Sequence, residues 1–115
     1  MDSNIILHVF SCLQRLEKRF AFIKSVAPYS AHFEKYSSLI PQQTEILAHM
    51  RRTANLLQLE FAKKQWELVS HSLKIFYGLH QMIRPELQDA FNAVSNNPEN
   101  LAPAQKITEK QLMLH

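Results

Sequence analysis

The stretch that decides the fold is 42-QQTEILAHMRRTANLLQLEFAKKQWELVSHSLKIFYGLHQMI-83, which contains no proline and only one glycine, Gly78. Its apolar residues recur at spacings of three and four, which is the period of an amphipathic α-helix. A single helix of about 40 residues is long for a small domain. The apolar arc widens after Phe61 to include Trp66 and Leu73, so we expect a tight break near residues 62–65 between two helices.

Amphipathic patterns continue on both sides of this stretch. Residues 3–26 place their apolar side chains in an arc of about 160°, and Pro28 ends that helix because proline has no N–H group. We expect a short helix at 30–39, and we expect Pro85 to begin a last helix over 85–94. One glycine in 115 residues argues against the many tight turns of a sheet protein. The sequence therefore predicts an all-α fold, an antiparallel bundle of four to five helices.

The domain boundary follows from where the apolar pattern stops. We predict a helical bundle domain over residues 1–95, followed by a polar linker and a flexible, disordered C-terminal tail over residues 96–115. Pro98 and Pro103 interrupt the linker, and the tail is too polar to form a core of its own.

The phase of each helix predicts which side chains form the core. Cys12 lies on the apolar face of the first helix, so we expect a buried thiol. Phe22 lies off that face. We predict almost complete burial for five large side chains: Leu13, Leu16, Phe20, Phe61 and Phe91.

Charge and cysteine content limit the class of protein. Thirteen Lys and Arg against ten Asp and Glu give a net charge of +3, with a sequence pI near 9.2. The signs are mixed along the helices, which favours a solvated surface over a nucleic-acid groove. A small basic nucleic-acid-binding protein remains an alternative, and its contacts would come from Arg51, Arg52, Lys63 and Lys64.

The sequence also predicts a location. A single cysteine excludes an intrachain disulfide and fits a reducing compartment. The segment before Cys12 is too short and wrongly charged for an export signal, and no apolar run approaches the ~18 residues of a membrane span. We therefore expect a cytoplasmic protein without a membrane span.

No catalytic or cofactor motif is present in the sequence. His71 and His80 are too far apart along a helix to act as a pair of metal ligands one turn apart, and no glycine-rich phosphate loop occurs. His8 and Cys12 lie one turn apart, but no oxyanion donor accompanies them. We therefore expect no enzymatic activity, no cofactor and no metal.

One short segment resembles a known signature. His71-Ser72-Leu73-Lys74 is similar to the His-x-Leu-Lys-Gly signature of histidine phosphotransfer domains, which are all-helical bundles. The resemblance implies a phosphorelay protein in which His71 accepts a phosphoryl group and Lys74 neutralises its charge. The glycine that follows the lysine in that signature is Ile75 here.

The favoured hypothesis is a small protein–protein interaction module such as an adaptor, a secretion-type chaperone or a regulatory subunit. Several apolar side chains lie outside the faces that one bundle needs, which indicates a surface for another protein or for a second copy of the chain. The helix that contains Trp66 also carries the only glycine, which would let another backbone approach closely. The expected partner-binding residues are Leu56, Leu59, Trp66, Tyr77 and Gly78.

Overall fold

The computed structural model describes residues 4–29, 34 and 37–95 of the chain. Three α-helices account for most of them: α1 (Asn4–Val26), α2 (Ile40–Ala62) and α3 (Trp66–Ser95), with one 3-10 turn at Ala27–Tyr29. The predicted all-α class is confirmed. The predicted count of four to five helices is not, since the described residues form three. The predicted tail, 96–115, and most of the predicted short helix, 30–39, lie outside the described residues.

The helices form an elongated up-down-up bundle with extents of 52 × 29 × 16 Å. His8 of α1 lies beside Tyr77 of α3, and further along Arg19 lies beside Gln88, so α1 and α3 run parallel. A loop of three residues joins α2 to α3, and so short a connection makes these two helices antiparallel neighbours.

The predicted break in the long apolar stretch is confirmed, because α2 ends at Ala62 and α3 begins at Trp66. The chain reverses there without a glycine. Lys64 takes the left-handed conformation that a glycine often supplies, with φ of 57°. The N–H groups of Lys63 and Lys64 donate to the carbonyls of Leu59 and Phe61, which satisfies the last turn of α2.

The second expected break, at Pro85, is wrong. Pro85 lies inside α3, which continues for 30 residues to Ser95. Pro85 removes one backbone hydrogen bond, to the carbonyl of Gln81. Both residues are exposed, so they lie on the solvent side of the helix, where water can replace the missing donor. The buried Ile83 and Leu87 on either side hold the helix against the core.

The core confirms the phase of α1 but corrects two aromatic predictions. Cys12, Leu13, Leu16 and Phe20 are buried as expected. Phe61 and Phe91, predicted to be almost fully buried, are only partly buried, because they lie at the edges of the helix contacts. Phe22 is 3% exposed although it lies off the main apolar face. It forms a second small cluster with Val26 and Val94, packed against the ring of Phe91: the ring centroids of Phe22 and Phe91 are 5.3 Å apart.

Gly78 offers a test of the middle of α3. It has no positive φ, and a Cβ built on it would meet no atom of the described residues within 4 Å. We therefore expect Gly78→Ala to raise the free energy of unfolding by about 0.5–1 kcal/mol, since alanine loses less backbone entropy in a helix. Urea unfolding followed by circular dichroism measures this change, and Gln81→Ala, also exposed on α3, serves as the control. Destabilisation by Gly78→Ala would show that another backbone packs on this position.

Candidate functional site

The register between α2 and α3 determines which surface side chains become neighbours. The hydroxyl of Ser72 donates a hydrogen bond of 2.6 Å to the carboxylate of Glu60, and both groups are buried. Further from the loop, Leu79 lines the same cavity as His49 and Arg52. In this antiparallel register, Leu56 of α2 lies level with Ile75 of α3.

An apolar face runs along the outer side of this helix pair. Four of its side chains are strongly exposed: Leu56 is 50% exposed, Leu59 52%, Leu68 47% and Met82 57%. Ile75 and Leu79 are half-buried between them. Leu68, Ile75 and Met82 recur every seventh residue, so they share one side of α3. We use the name apolar face for these six residues: Leu56, Leu59, Leu68, Ile75, Leu79 and Met82.

A shallow cavity of about 370 Å³ extends the apolar face away from the loop. Arg52 precedes Leu56 by four residues and Leu59 by seven, so Arg52 lies on the same side of α2 as these two leucines. The apolar face therefore continues into a polar and basic end. The cavity is lined by Thr44, Glu45, Ile46, Ala48, His49, Arg52 and Leu79.

The structure brings only two of the predicted partner-binding residues together. Leu56 and Leu59 lie on the apolar face. Trp66 is 42% exposed and packs edge-on against Phe61, with 5.3 Å between the ring centroids. Tyr77 lies on the opposite side of α3, where its ring is 6.1 Å from that of His8.

Gly78 is exposed on α3, and in the described residues no helix packs closely against it. The three described helices therefore provide no backbone that approaches Gly78 closely. Leu68 and Met82 were missed as site residues, although their seven-residue spacing with Ile75 was the signal that could have identified them.

The two residues of the phosphotransfer alternative, His71 and Lys74, are both exposed on α3. They are three residues apart and therefore share one side of the helix. The half-buried Ile75 follows them, at the position of the glycine in the signature. Phosphoryl transfer through His71 stays a prediction.

A second candidate site lies in the seam between α1 and α3. A cavity of about 330 Å³ opens there, and we call it the basic groove. Its lining includes two imidazoles and three guanidinium groups. It is lined by His8, Cys12, Arg15, Leu16, Arg19, His80, Arg84 and Gln88.

Two titratable groups report the electrostatics of the basic groove. The pKa of His80 is lowered, first by burial and then by electrostatic repulsion from the neighbouring Arg84, Arg15 and His8. Burial raises the pKa of Tyr77, whose ring centroid lies 6.4 Å from that of His80. The lowered pKa favours the neutral form of His80, and the arginines supply the charge of the groove. Sequence reasoning interpreted Arg15 and Arg19 as part of a solvated surface, although they share one side of α1 with His8.

Comparison with protein-family models, with curated proteins and with solved structures finds no match to this chain. Within residues 4–29, 34 and 37–95, no group of three or more His, Cys, Asp or Glu side chains is arranged to hold a metal ion. Over the same residues, no helix combines the length and the apolar character that crossing a membrane requires.

Proposed function

We propose that the chain is a protein-interaction module without catalytic activity, and that it binds its partner on the apolar face. The observation that carries this proposal is the row of exposed leucine and methionine side chains along α2 and α3. Single exposed apolar residues are common on proteins, whereas a contiguous row is typical of a binding surface.

An amphipathic helix is the partner structure that fits this surface best. Two antiparallel helices leave a furrow between them, and a third helix can lie along it as in a four-helix bundle. Leu68, Ile75 and Met82 repeat every seventh residue, which matches the apolar repeat of a partner helix. Leu56 and Leu59 provide the opposite wall.

The charge beside the apolar face favours an acidic partner helix. Arg52 on α2 and Lys63, directly after its end, are exposed on the same side as Leu59. Among the described residues, the acidic side chains beside the apolar face are Glu45, which lines the adjoining cavity, and Glu86, one turn after Met82, both at the end away from the loop. The whole chain carries +3, so a second copy would bring like charges together. We therefore propose that the occupant is a helix of another protein, with acidic residues beside its apolar stripe.

A synthetic peptide tests this proposal. We expect an amphipathic peptide of about 20 residues, long enough to form a helix, to bind saturably when glutamates flank its leucine stripe. Leu56→Glu should weaken that binding by about tenfold or more, because it places an unpaired carboxylate against the apolar stripe. Fluorescence anisotropy of the labelled peptide measures the dissociation constant. Leu7→Glu is the matched control, since Leu7 is also exposed but lies on α1.

Two further measurements separate this partner from the alternatives. The same peptide with lysines in place of the glutamates should bind more weakly, because Arg52 and Lys63 would repel it. Equal affinity for both peptides would contradict the acidic partner. Sedimentation equilibrium that shows a dimer, which Leu56→Glu dissociates, would instead assign the apolar face to a second copy of the chain.

A further inference from the structure

The basic groove lies on the other side of α3 from the apolar face, and none of the described residues that line it is acidic. Within the described residues the ion pair of the bundle joins Glu17 to Arg51, in the seam between α1 and α2. Arg15 and Arg84 thus have no carboxylate partner among the described residues. Positive groups that converge without neutralising partners raise the local concentration of anions.

The arginines differ in how firmly they are held. Arg19 donates a hydrogen bond to the side-chain oxygen of Gln88, and its guanidinium carbon lies 5.1 Å from the centre of the Phe91 ring. These two contacts hold Arg19 at one end of the groove. Among the described residues, the contact that holds Arg15 is a weak one, in which its Nη2 lies 3.6 Å from the sulfur of Cys12. Arg15 retains most of its donors for a ligand.

Imidazoles complete the wall of the groove. His8 Nε2 is 3.5 Å from the sulfur of Cys12, and the His8 ring also faces Tyr77. His80 is half-buried on α3, with Arg84 one turn further along. The neutral imidazole of His80 can donate one N–H to an oxygen anion while Arg15 and Arg84 supply forked pairs of donors.

We propose that the basic groove binds a compact dianion of the phosphate class, either free phosphate or a small phosphate monoester. Arg15 from α1 and His80 and Arg84 from α3 all line this one cavity, so both helices contribute donors to it. The planar guanidinium fork matches phosphate oxygens, and two such forks provide charge-assisted hydrogen bonds. This site is separate from the apolar face and does not depend on the proposed function.

The size of the groove favours a small anion over a nucleic-acid strand. A volume of about 330 Å³ is at the lower end of the range for small-molecule pockets. Arg15 and Arg19 are one helical turn apart, about 6 Å along the axis, which spans little more than one phosphate group. A strand would need a longer basic track with stacking aromatic rings along it.

Nuclear magnetic resonance titration of the full chain tests the site. We expect inorganic phosphate, and separately glycerol 3-phosphate, to cause saturable shifts in the amides of residues 8–19 and 80–88 at constant ionic strength set with chloride. Arg84→Gln and Arg15→Gln should each weaken binding about tenfold or more. Arg52→Gln, which removes the same charge outside the groove, should change the affinity less than about twofold.

Each outcome decides the proposal or refines its ligand. Tighter binding of glycerol 3-phosphate would identify a monoester site, and equal affinity for both probes would identify a site for the phosphate group alone. Two results would overturn the proposal in favour of general attraction of anions to a basic chain. One is chemical shift changes that never saturate, and the other is a loss of affinity in Arg52→Gln as large as in Arg15→Gln and Arg84→Gln. A single-stranded oligonucleotide that binds more tightly than either probe would overturn it in favour of nucleic acid. Circular dichroism of each exposed-arginine variant verifies the fold.

Discussion

Leu13→Ala is expected to lower the free energy of unfolding by about 2–5 kcal/mol, the usual cost of removing most of a buried leucine. Leu13 is completely buried at the centre of α1, in the core cluster that includes residues of all three helices. The lost stability has two parts: the transfer free energy of the removed apolar groups, and the cost of the cavity that the closely packed helices cannot fill. For a small domain with a total stability of about 5–15 kcal/mol, this is a large fraction.

Chemical unfolding followed by circular dichroism measures the effect of Leu13→Ala. The control is Leu7→Ala, which removes the same atoms from the same helix, where the side chain is 69% exposed. We expect the control to change the unfolding free energy by less than about 0.5 kcal/mol. If Leu13→Ala also changed the unfolding free energy by less than about 0.5 kcal/mol, the phase of α1 and the core built on it would be contradicted.

Phe76→Ala is expected to have a still larger effect, about 3–5 kcal/mol. Phe76 is fully buried in the middle of α3, and its ring packs edge-on against Tyr77 with 5.4 Å between the centroids. Its ring is also stacked with that of His80 at 6.5 Å. Removing it therefore loosens the wall of the basic groove as well as the core.

A conservative variant keeps this prediction measurable if Phe76→Ala does not fold. Phe76→Leu keeps most of the apolar volume, and we expect it to fold with a smaller loss of stability than Phe76→Ala. Met82→Ala is the control on α3, because Met82 is exposed on the apolar face. Equal thermal midpoints for Phe76→Ala and Met82→Ala would contradict the central position of Phe76.

Helix α3 carries both proposed surfaces, and their positions make them separable. Leu68 and Met82 share one side of α3 with Leu79, which lines a cavity together with residues of α2, whereas His80 and Arg84 line the cavity shared with α1. A helix with neighbours on two sides needs a wide apolar arc, which explains the broad apolar pattern after Trp66. Variants of one surface therefore leave the side chains of the other in place.

Local pattern was enough to predict the helices and much of the core. The spacing of Leu13, Leu16 and Phe20 defines one side of α1 whatever packs on it, because the helical period alone brings them together. The break between α2 and α3 was predictable for a similar reason. The change in the apolar arc at Trp66 indicates a change of neighbours even though no glycine marks the turn.

Pro85 shows where a local rule is overridden. Proline lacks the donor that continues a helix, and the sequence alone therefore predicts a boundary. Tertiary packing decides otherwise, because Ile83 and Leu87 are both completely buried. Their burial offsets the cost of one missing hydrogen bond, which Pro85 leaves on the solvent side of α3.

The helical period determined which residues share a side of each helix, and the tertiary structure decided which sides meet. Phe22 lies off the apolar side of α1, yet it is buried because the end of α3 passes over it. Tyr77 was expected at a partner surface, yet its ring lies beside that of His8. The reason is that α1 packs parallel to α3, on the side of α3 that carries Tyr77. The basic groove depends on the same pairing, which brings together side chains 69 positions apart, such as Arg19 and Gln88. Periodicity within one helix carries no information about the register of its neighbour, which packing across the core determines.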